Sequence, residues 1–255
     1  MKILTHALAV FLTGAVVLWL VLSRFPAVME HEAVMDLIHI SQAVEKSLDD
    51  LSSSLERQVS AFGAAVAEDR NFAMKLIVEN DTSASEVTGI AGRYMEPMGF
   101  DVLEISTPGD LVLSWGHFPA RAGELNGGSD ALIGGRPLCV VENIKGKDVL
   151  TLQAGSSVRF AEQTFHCSGG VIVDEELLRR LTPRNGVRVI LRRGTNVIGL
   201  EGVETISDVE NNRIIVNDET FPASSVTLPS AGLEEPLELI VIMDKPVKFS
   251  PLELL

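Results

Sequence analysis

The first run of apolar residues, ILTHALAVFLTGAVVLWLVLS from Ile3 to Ser23, contains no Lys, Arg, Asp or Glu. At about 1.5 Å of rise per residue, a helix of that length spans roughly 30 Å, the thickness of a bilayer's hydrocarbon core. The pattern predicts an uncleaved transmembrane anchor over 1–24. A cleaved signal peptide fits less well, because the run is long for one and SRFPAVME offers only a weak small-residue cleavage site. Lys2 flanks one side, and Arg24 on the other is soon followed by Glu30, Glu32 and Asp36. This balance leans towards an N-terminus in the cytoplasm, with the rest of the chain outside. The expectation is a single-pass protein of the inner (cytoplasmic) membrane with a periplasmic or extracellular soluble part.

The apolar spacing then changes. Leu37, Val44, Leu48, Leu51, Leu55, Val59, Phe62 and Val66 are separated by sevens, fours and threes, which draws one stripe along a helix of roughly 50 Å. Asp49, Asp50, Glu56 and Arg57 fall on its other faces. The stripe either packs on the rest of the fold or, near the membrane, pairs with a second copy as a coiled coil, giving a homodimer through the long helix. A second helix is expected over DTSASEVTGIAGRYMEPMG, with Ser83 and Glu86 as a capping box and Pro97-Met98-Gly99 as its stop.

From there the pattern is that of strands. FDVLEIST and LVLSWGH flank PGD as a hairpin, and PLCVVENIKGKDVLTLQAG reads as another, turning at Lys145-Gly146-Lys147. FHCSGGVIVD supplies a fifth strand and leads into a short helix, EELLRRLT. A second set follows: GVRVILRRG, NVIGLEG, NRIIVND, SSVTLPSA and PLELIVIMD. A helix followed by five antiparallel strands thus occurs twice, without visible identity between the halves. Sheets with helices on one face make this an α+β chain.

Charge narrows the function. Thirty-five acids against twenty-one bases give a net charge of −14, a surface that repels nucleic acid and anionic headgroups. Cys139 and Cys167 are the only cysteines; they either pair outside the cytoplasm or, the reading preferred here, sit as small buried strand residues.

No catalytic motif emerges. There is no Gly-x-Ser-x-Gly elbow, no His-Glu-x-x-His helix and no phosphate-binding Gly-x-x-x-x-Gly-Lys loop. GGSDALIGG has the glycines of such a loop but neither the Lys nor a following helix, and reads as a flexible loop. His31-Glu32 lacks the residues that follow a phosphoaccepting histidine. His31, His39, Glu32 and Asp36 include no His pair at i, i+4, so no metal site is assigned. His166 and Cys167 are strand neighbours, and their side chains point to opposite faces. No cofactor is implied.

SWGHFPARAGELNGG carries the densest recognition chemistry. Trp115 and His117 alternate at a strand end and should share a face, over which Arg121 folds back on its loop. An indole, an imidazole and a guanidinium together grip a small carboxylate-bearing ligand by stacking and a bidentate ion pair. The competing reading is a buried Trp supporting the hairpin, with Arg121 bonding loop carbonyls.

The stretch FAMKLIVENDTSASEVTGIAGRYMEPMGFDVLEISTPGDLVLSWGHFPARAG resembles the extracytoplasmic input region of bacterial transmembrane sensor histidine kinases. There, a helix leads into a Gly-Phe-Asp-x-Leu strand and a second strand ends in Ser-x-Gly-His-Phe-Pro-Ala-Arg. CSGGVIVDEELLRRL is similar to the passage into their second sensory half. The resemblance spans about 25–248. It implies a double Cache arrangement, in which a long helix (25–78) carries a membrane-distal PAS-like module (79–172) and a membrane-proximal one (173–248), here followed by a tail (249–255). It further implies an unknown small extracytoplasmic ligand. After FSPLELL no second span and no kinase core follow in the sequence, so kinase activity is not carried over. The alternative to ligand sensing is a membrane-tethered protein–protein interaction module.

Overall fold

The computed structural model describes the backbone of residues 2–160, 162–199 and 206–244, with side chains from residue 34 onward in those ranges except residue 129. The expected anchor (1–24) and tail (249–255) therefore lie outside the residues described in full. Among the described residues, no helix is long and apolar enough to cross a membrane.

Helix α1 runs Lys2–Glu68. Its apolar stripe packs on the fold: Leu37, Val44, Leu55, Val59, Phe62 and Val66 are buried, with Leu48 and Leu51 half-buried against the same core. The stripe also includes Ile40, and it lies along both sheets described below. The long helix expected to reach residue 78 stops ten residues earlier. Asp69 leaves the helical conformation (φ −74°, ψ 104°), and its Oδ1 accepts from the backbone N–H of Asn71 at 2.9 Å and of Phe72 at 3.0 Å. That is an N-cap, and it starts a new helix, α2 (Arg70–Ala73), which widens into a π-turn over Met74–Val78.

The second helix is likewise two pieces, α3 (Ser85–Thr88) and α4 (Ile90–Met95), divided at Gly89. The predicted capping box does not form. Asp81 Oδ1 accepts from both the Ser83 N–H (3.0 Å) and hydroxyl (2.7 Å), so Ser83 is held in an Asx-type turn, and Ala84 stands at the cap with no side-chain bond.

Strands β1 (Val102–Ser106), β2 (Val112–Trp115), β3 (Leu138–Ile144), β4 (Lys147–Phe160) and β5 (Gln163–Ile172) form one antiparallel sheet in the order β2-β1-β5-β4-β3. Helix α6 (Glu175–Leu181), capped by the Asp174 carboxylate, follows as expected. Strands β6 (Val187–Arg193), β7 (Asn196–Ile198), β8 (Arg213–Val216), β9 (Glu219–Leu228) and β10 (Leu237–Met243) then repeat the order: β7-β6-β10-β9-β8. The two sheets are the same topology used twice.

The tight turns follow their sequences. Lys145 and Gly146 (φ 54° and 80°) join β3 to β4, and Asn217 and Asp218 (φ 47° and 65°) join β8 to β9. Positive φ at both central residues is the hairpin geometry that matches strand twist. The β3 edge of the first sheet is stitched to the segment that follows β9 at Cys139, whose N–H donates to Pro229 O (2.9 Å) and whose carbonyl accepts from Ala231 N–H (3.0 Å).

Both cysteines are free and buried, Cys139 on β3 and Cys167 on β5. Burial pushes both thiols up to about 12. Because the thiolate is the nucleophile, neither should react with a disulfide reagent at pH 8 in the native protein. Both should react once urea unfolds it. Rapid native labelling of either thiol would contradict this packing.

Candidate functional site

Alternation along the first sheet gives it two different faces. Leu103, Ile105, Leu152, Ala154, Phe165 and Cys167 turn towards α1 and join the main core. The opposite face carries Glu104, Ser106, Glu142, Thr151, Gln153, His166 and Ser168, all buried. His166 and Cys167 thus face opposite sides, as strand geometry requires. In the second sheet the face away from α1 is closed by Ile190, Ile214, Val216, Phe221, Ala223, Ile240 and Ile242. Two sheets of one topology therefore differ where it matters: one has an apolar outer layer, the other a buried polar one.

The segment between β2 and β3 covers that polar face. Asn126 Nδ2 donates to Glu104 Oε2 at 2.7 Å, and Asp130 Oδ1 lies 3.0 Å from His166 Nδ1. The stretch expected to be a flexible loop contains a one-turn helix, α5 (Ser129–Leu132), seated directly on β4. Leu132 comes so close that a Cβ at Gly155 would lie 2.8 Å from its backbone C and O. Gly155→Val should therefore lift α5, with a loss of about 1–3 kcal/mol from overpacking and faster hydrogen exchange over 116–137. Unchanged exchange there would mean that α5 does not rest on Gly155.

The sequence-predicted trio meets at this cover. Trp115 stands opposite Glu104 in the β1–β2 register, so both occupy the polar face, and Trp115 is 1% exposed. His117 lies beyond the end of β2 rather than on it, yet its ring packs edge-on against Trp115, centroids 5.1 Å apart. Arg121 ends a one-turn 3-10 helix (Pro119–Arg121) and lays its guanidinium over the indole, Cζ 4.0 Å from the centroid. Its Nε donates to Glu124 Oε2 at 2.6 Å, a carboxylate of the same loop rather than loop carbonyls.

The electrostatics of the face are those of a dehydrated acidic surface. Burial pushes Glu104 up to about 7, with Glu142 adding to the rise and the Asn126 bond opposing it. Glu142 is also held above the ordinary carboxylate value by burial, against the pull of Arg121 and a bond from Gln153. His117 is lowered, first by burial and then by Arg121. Several polar atoms here make no well-aligned hydrogen bond: Glu104 Oε1, Trp115 Nε1, both ring nitrogens of His117 and Nδ1 of His166. The Asn143 backbone lies near enough to His117 to favour its charged form slightly, without bonding geometry. A buried group left unpaired costs about 1–3 kcal/mol, so orphaned atoms gathered on one face need an explanation.

Among the described residues no group of three or more His, Cys, Asp or Glu side chains is placed to hold a metal. His39 is exposed on α1; His31 and Glu32 lie outside the residues described in full. Glu104 and Glu142 went unremarked in the sequence, and His166 was weighed only with Cys167, because polar residues at alternate strand positions look the same whether water or a loop covers them.

No protein-family model matches the chain, and no curated protein matches it. Solved structures do. The sensor domain of the Vibrio cholerae histidine kinase DctB superposes with a TM-score of 0.50 at 10% identity, over 89% of this chain and 100% of that one. The ligand-binding domain of the Campylobacter jejuni chemoreceptor Tlp3, solved with L-valine, gives 0.54 at 8% identity over 87% and 96%. The Tlp3 sensory domain with isoleucine bound gives 0.53 at 7% over the same shares. At such identities the likeness is one of fold, and it agrees with the sequence resemblance: the chain has the tandem PAS-like fold of histidine-kinase and chemoreceptor sensor domains.

Proposed function

We propose that this chain is the extracytoplasmic sensor module of a two-component receptor, anchored in the inner membrane by residues 1–24. It binds a small ligand beneath the 116–137 segment and reports occupancy through α1. In this reading 25–78 is the signalling segment, α1 followed by the short turns after Asp69, 79–172 is the membrane-distal sensing module and 173–248 the membrane-proximal one, with a second copy paired along α1. The kinase or other output is assigned outside these residues. The observation that carries the proposal is the gathering of buried polar atoms without a hydrogen-bond partner at Glu104 Oε1, Trp115 Nε1 and the His117 ring.

A ligand that satisfies those atoms binds the folded, covered form and stabilises it, by about 2.7 kcal/mol at a hundredfold excess over Kd. It signals only if it favours one arrangement of segment and helix over another; a 1.4 kcal/mol preference shifts that balance about tenfold. A thermal-shift screen of the full chain against small organic acids, amines and sugars should give a dose-dependent rise.

Phe118 and Leu125, exposed on the covering segment, support a second reading. In it the same surface receives a protein partner and the module is a tether. Silence across the whole screen would move the assignment there.

A further inference from the structure

We infer that the covered face of the first sheet takes a ligand carrying a guanidinium or ammonium group, and that the Arg121 guanidinium keeps that ligand's place when it is absent. The inference rests on the sensing site proposed above and reverses the sign of the ligand that Arg121 alone suggested. Four observations carry it.

First, the floor is acidic and dry: Glu104 is 4% exposed and Glu142 9%. An anion brought there would meet two carboxylates already short of water, whereas a cation would supply the charge they lack. Second, Arg121 offsets the floor only in part: it pulls on Glu142, but its own ion pair is with Glu124 of the cover and its guanidinium is stacked on Trp115 at the edge strand β2. Third, the free bonding capacity fits. Glu104 Oε1 is an unpartnered acceptor in the interior, while Trp115 Nε1, also buried and unpartnered, is a donor for a ligand's neutral oxygen. Fourth, the indole face is already a cation platform, because Arg121 occupies it at 4.0 Å. Arg121 ends a one-turn helix and its side chain is 27% exposed, so rotation of one side chain clears the ring.

Protons compete with such a ligand. Glu104 faces Glu142 from β3 and Asp110 from the β1–β2 turn, with Asn126 bonding its Oε2 and Ser106 nearby on the same strand. Arg121 pulls on Glu142 from the cover, His117 and His166 stand at the same face, and Asp130 on α5 lies 3.0 Å from His166 Nδ1. Because Glu104 is held near 7, affinity for a cation rises between pH 5.5 and 8.

The test uses the full chain with Trp19→Phe, which leaves Trp115 as the sole tryptophan. Trp115 emission and melting temperature are followed with agmatine, putrescine, succinate and glucose at fixed ionic strength. Agmatine or putrescine should bind, and succinate and glucose should not. Glu104→Gln, which removes a buried charge and keeps the fold, should weaken the cation about tenfold at pH 8. Arg121→Ala should tighten it several-fold, because an internal competitor has gone; a carboxylate-binding Arg121 would give the opposite result.

Succinate binding that is lost in Arg121→Ala would overturn the charge assignment and leave the sensing site standing. Silence from agmatine and putrescine at millimolar concentration would also overturn it. Silence from the wider screen as well would overturn the sensing site too.

Discussion

Phe62→Ala should cost about 3–5 kcal/mol, the range for an aromatic truncated in a packed core. Phe62 is fully buried on α1, and its ring meets Tyr94 edge-on with centroids 5.6 Å apart. Next to it, the helix backbone at Gly63 lies against the sheet: a Cβ there would be in ordinary contact, 3.5 Å from Val158 Cβ and 3.7 Å from Cys167 Sγ. This is where α1, α4 and the first sheet meet. No small neighbour can swing into the space of a lost phenyl ring between a helix and a sheet, so collapse of the cavity should be incomplete. Against a typical total stability of about 5–15 kcal/mol, such a loss is severe. Urea unfolding should show a lower midpoint with an unchanged slope. A loss below about 1 kcal/mol would mean that the helix is not docked as described.

Glu104→Gln should do the reverse, stabilising the protein at alkaline pH. The carboxyl is pushed up to about 7 by burial, from an ordinary value near 4.5, so the fold prefers its protonated form. Its contribution is fully present below about 4.5 and is lost as pH rises through about 7. At about 1.4 kcal/mol per pH unit this amounts to roughly 3 kcal/mol as an upper figure. Glu142, raised for the same reason, acts in the same direction. Asp81 and Glu86 act oppositely: Ser83 bonds hold the Asp81 carboxylate low, the Glu86 backbone N–H and Ser85 hold that of Glu86 low, and their contributions are lost as pH falls. Glutamine keeps an oxygen to accept from Asn126 and carries no charge. The variant should therefore match the parent near pH 4.5 and exceed it at pH 8, where the parent declines. Identical stability profiles across that interval would show that Glu104 is not buried as a charge.

How much of this was legible in the sequence depends on which physical signal each feature leaves. The α1 stripe and the ten strands were readable because burial on one side imposes a period, and Lys145-Gly146 marks its turn by backbone freedom; Asn217 and Asp218, read as the end of a strand, form the β8–β9 turn instead. The break at Asp69 was not readable. It arises because one carboxylate captures two backbone donors inside an otherwise helical pattern. Asp81 outcompetes the expected cap at Ser83 in the same way. Trp115, His117 and Arg121 were singled out as candidates because their types are conspicuous and their chain distance is short. Their mutual contact was foreseen; the engagement of Arg121 by Glu124 was not.

The acidic floor was hidden for a different reason. Glu104 and Glu142 alternate with apolar residues as surface residues of a half-buried sheet would. The segment between β2 and β3, with Asn126 on Glu104 and α5 seated against Gly155, turns that surface into an interior. The usable clue was Glu104 itself, a carboxylate in the middle of a short apolar strand that lies beside the central one.

The central claim is that ligand occupancy is felt on the polar face of the first sheet. The most direct measurement is hydrogen exchange of the full chain with and without whichever compound the thermal screen returns. The account predicts slowed exchange over 116–137 and in β1 and β5, with 206–216 of the second module unchanged. Protection confined to 206–216, or none in the first sheet despite a thermal shift, would contradict it.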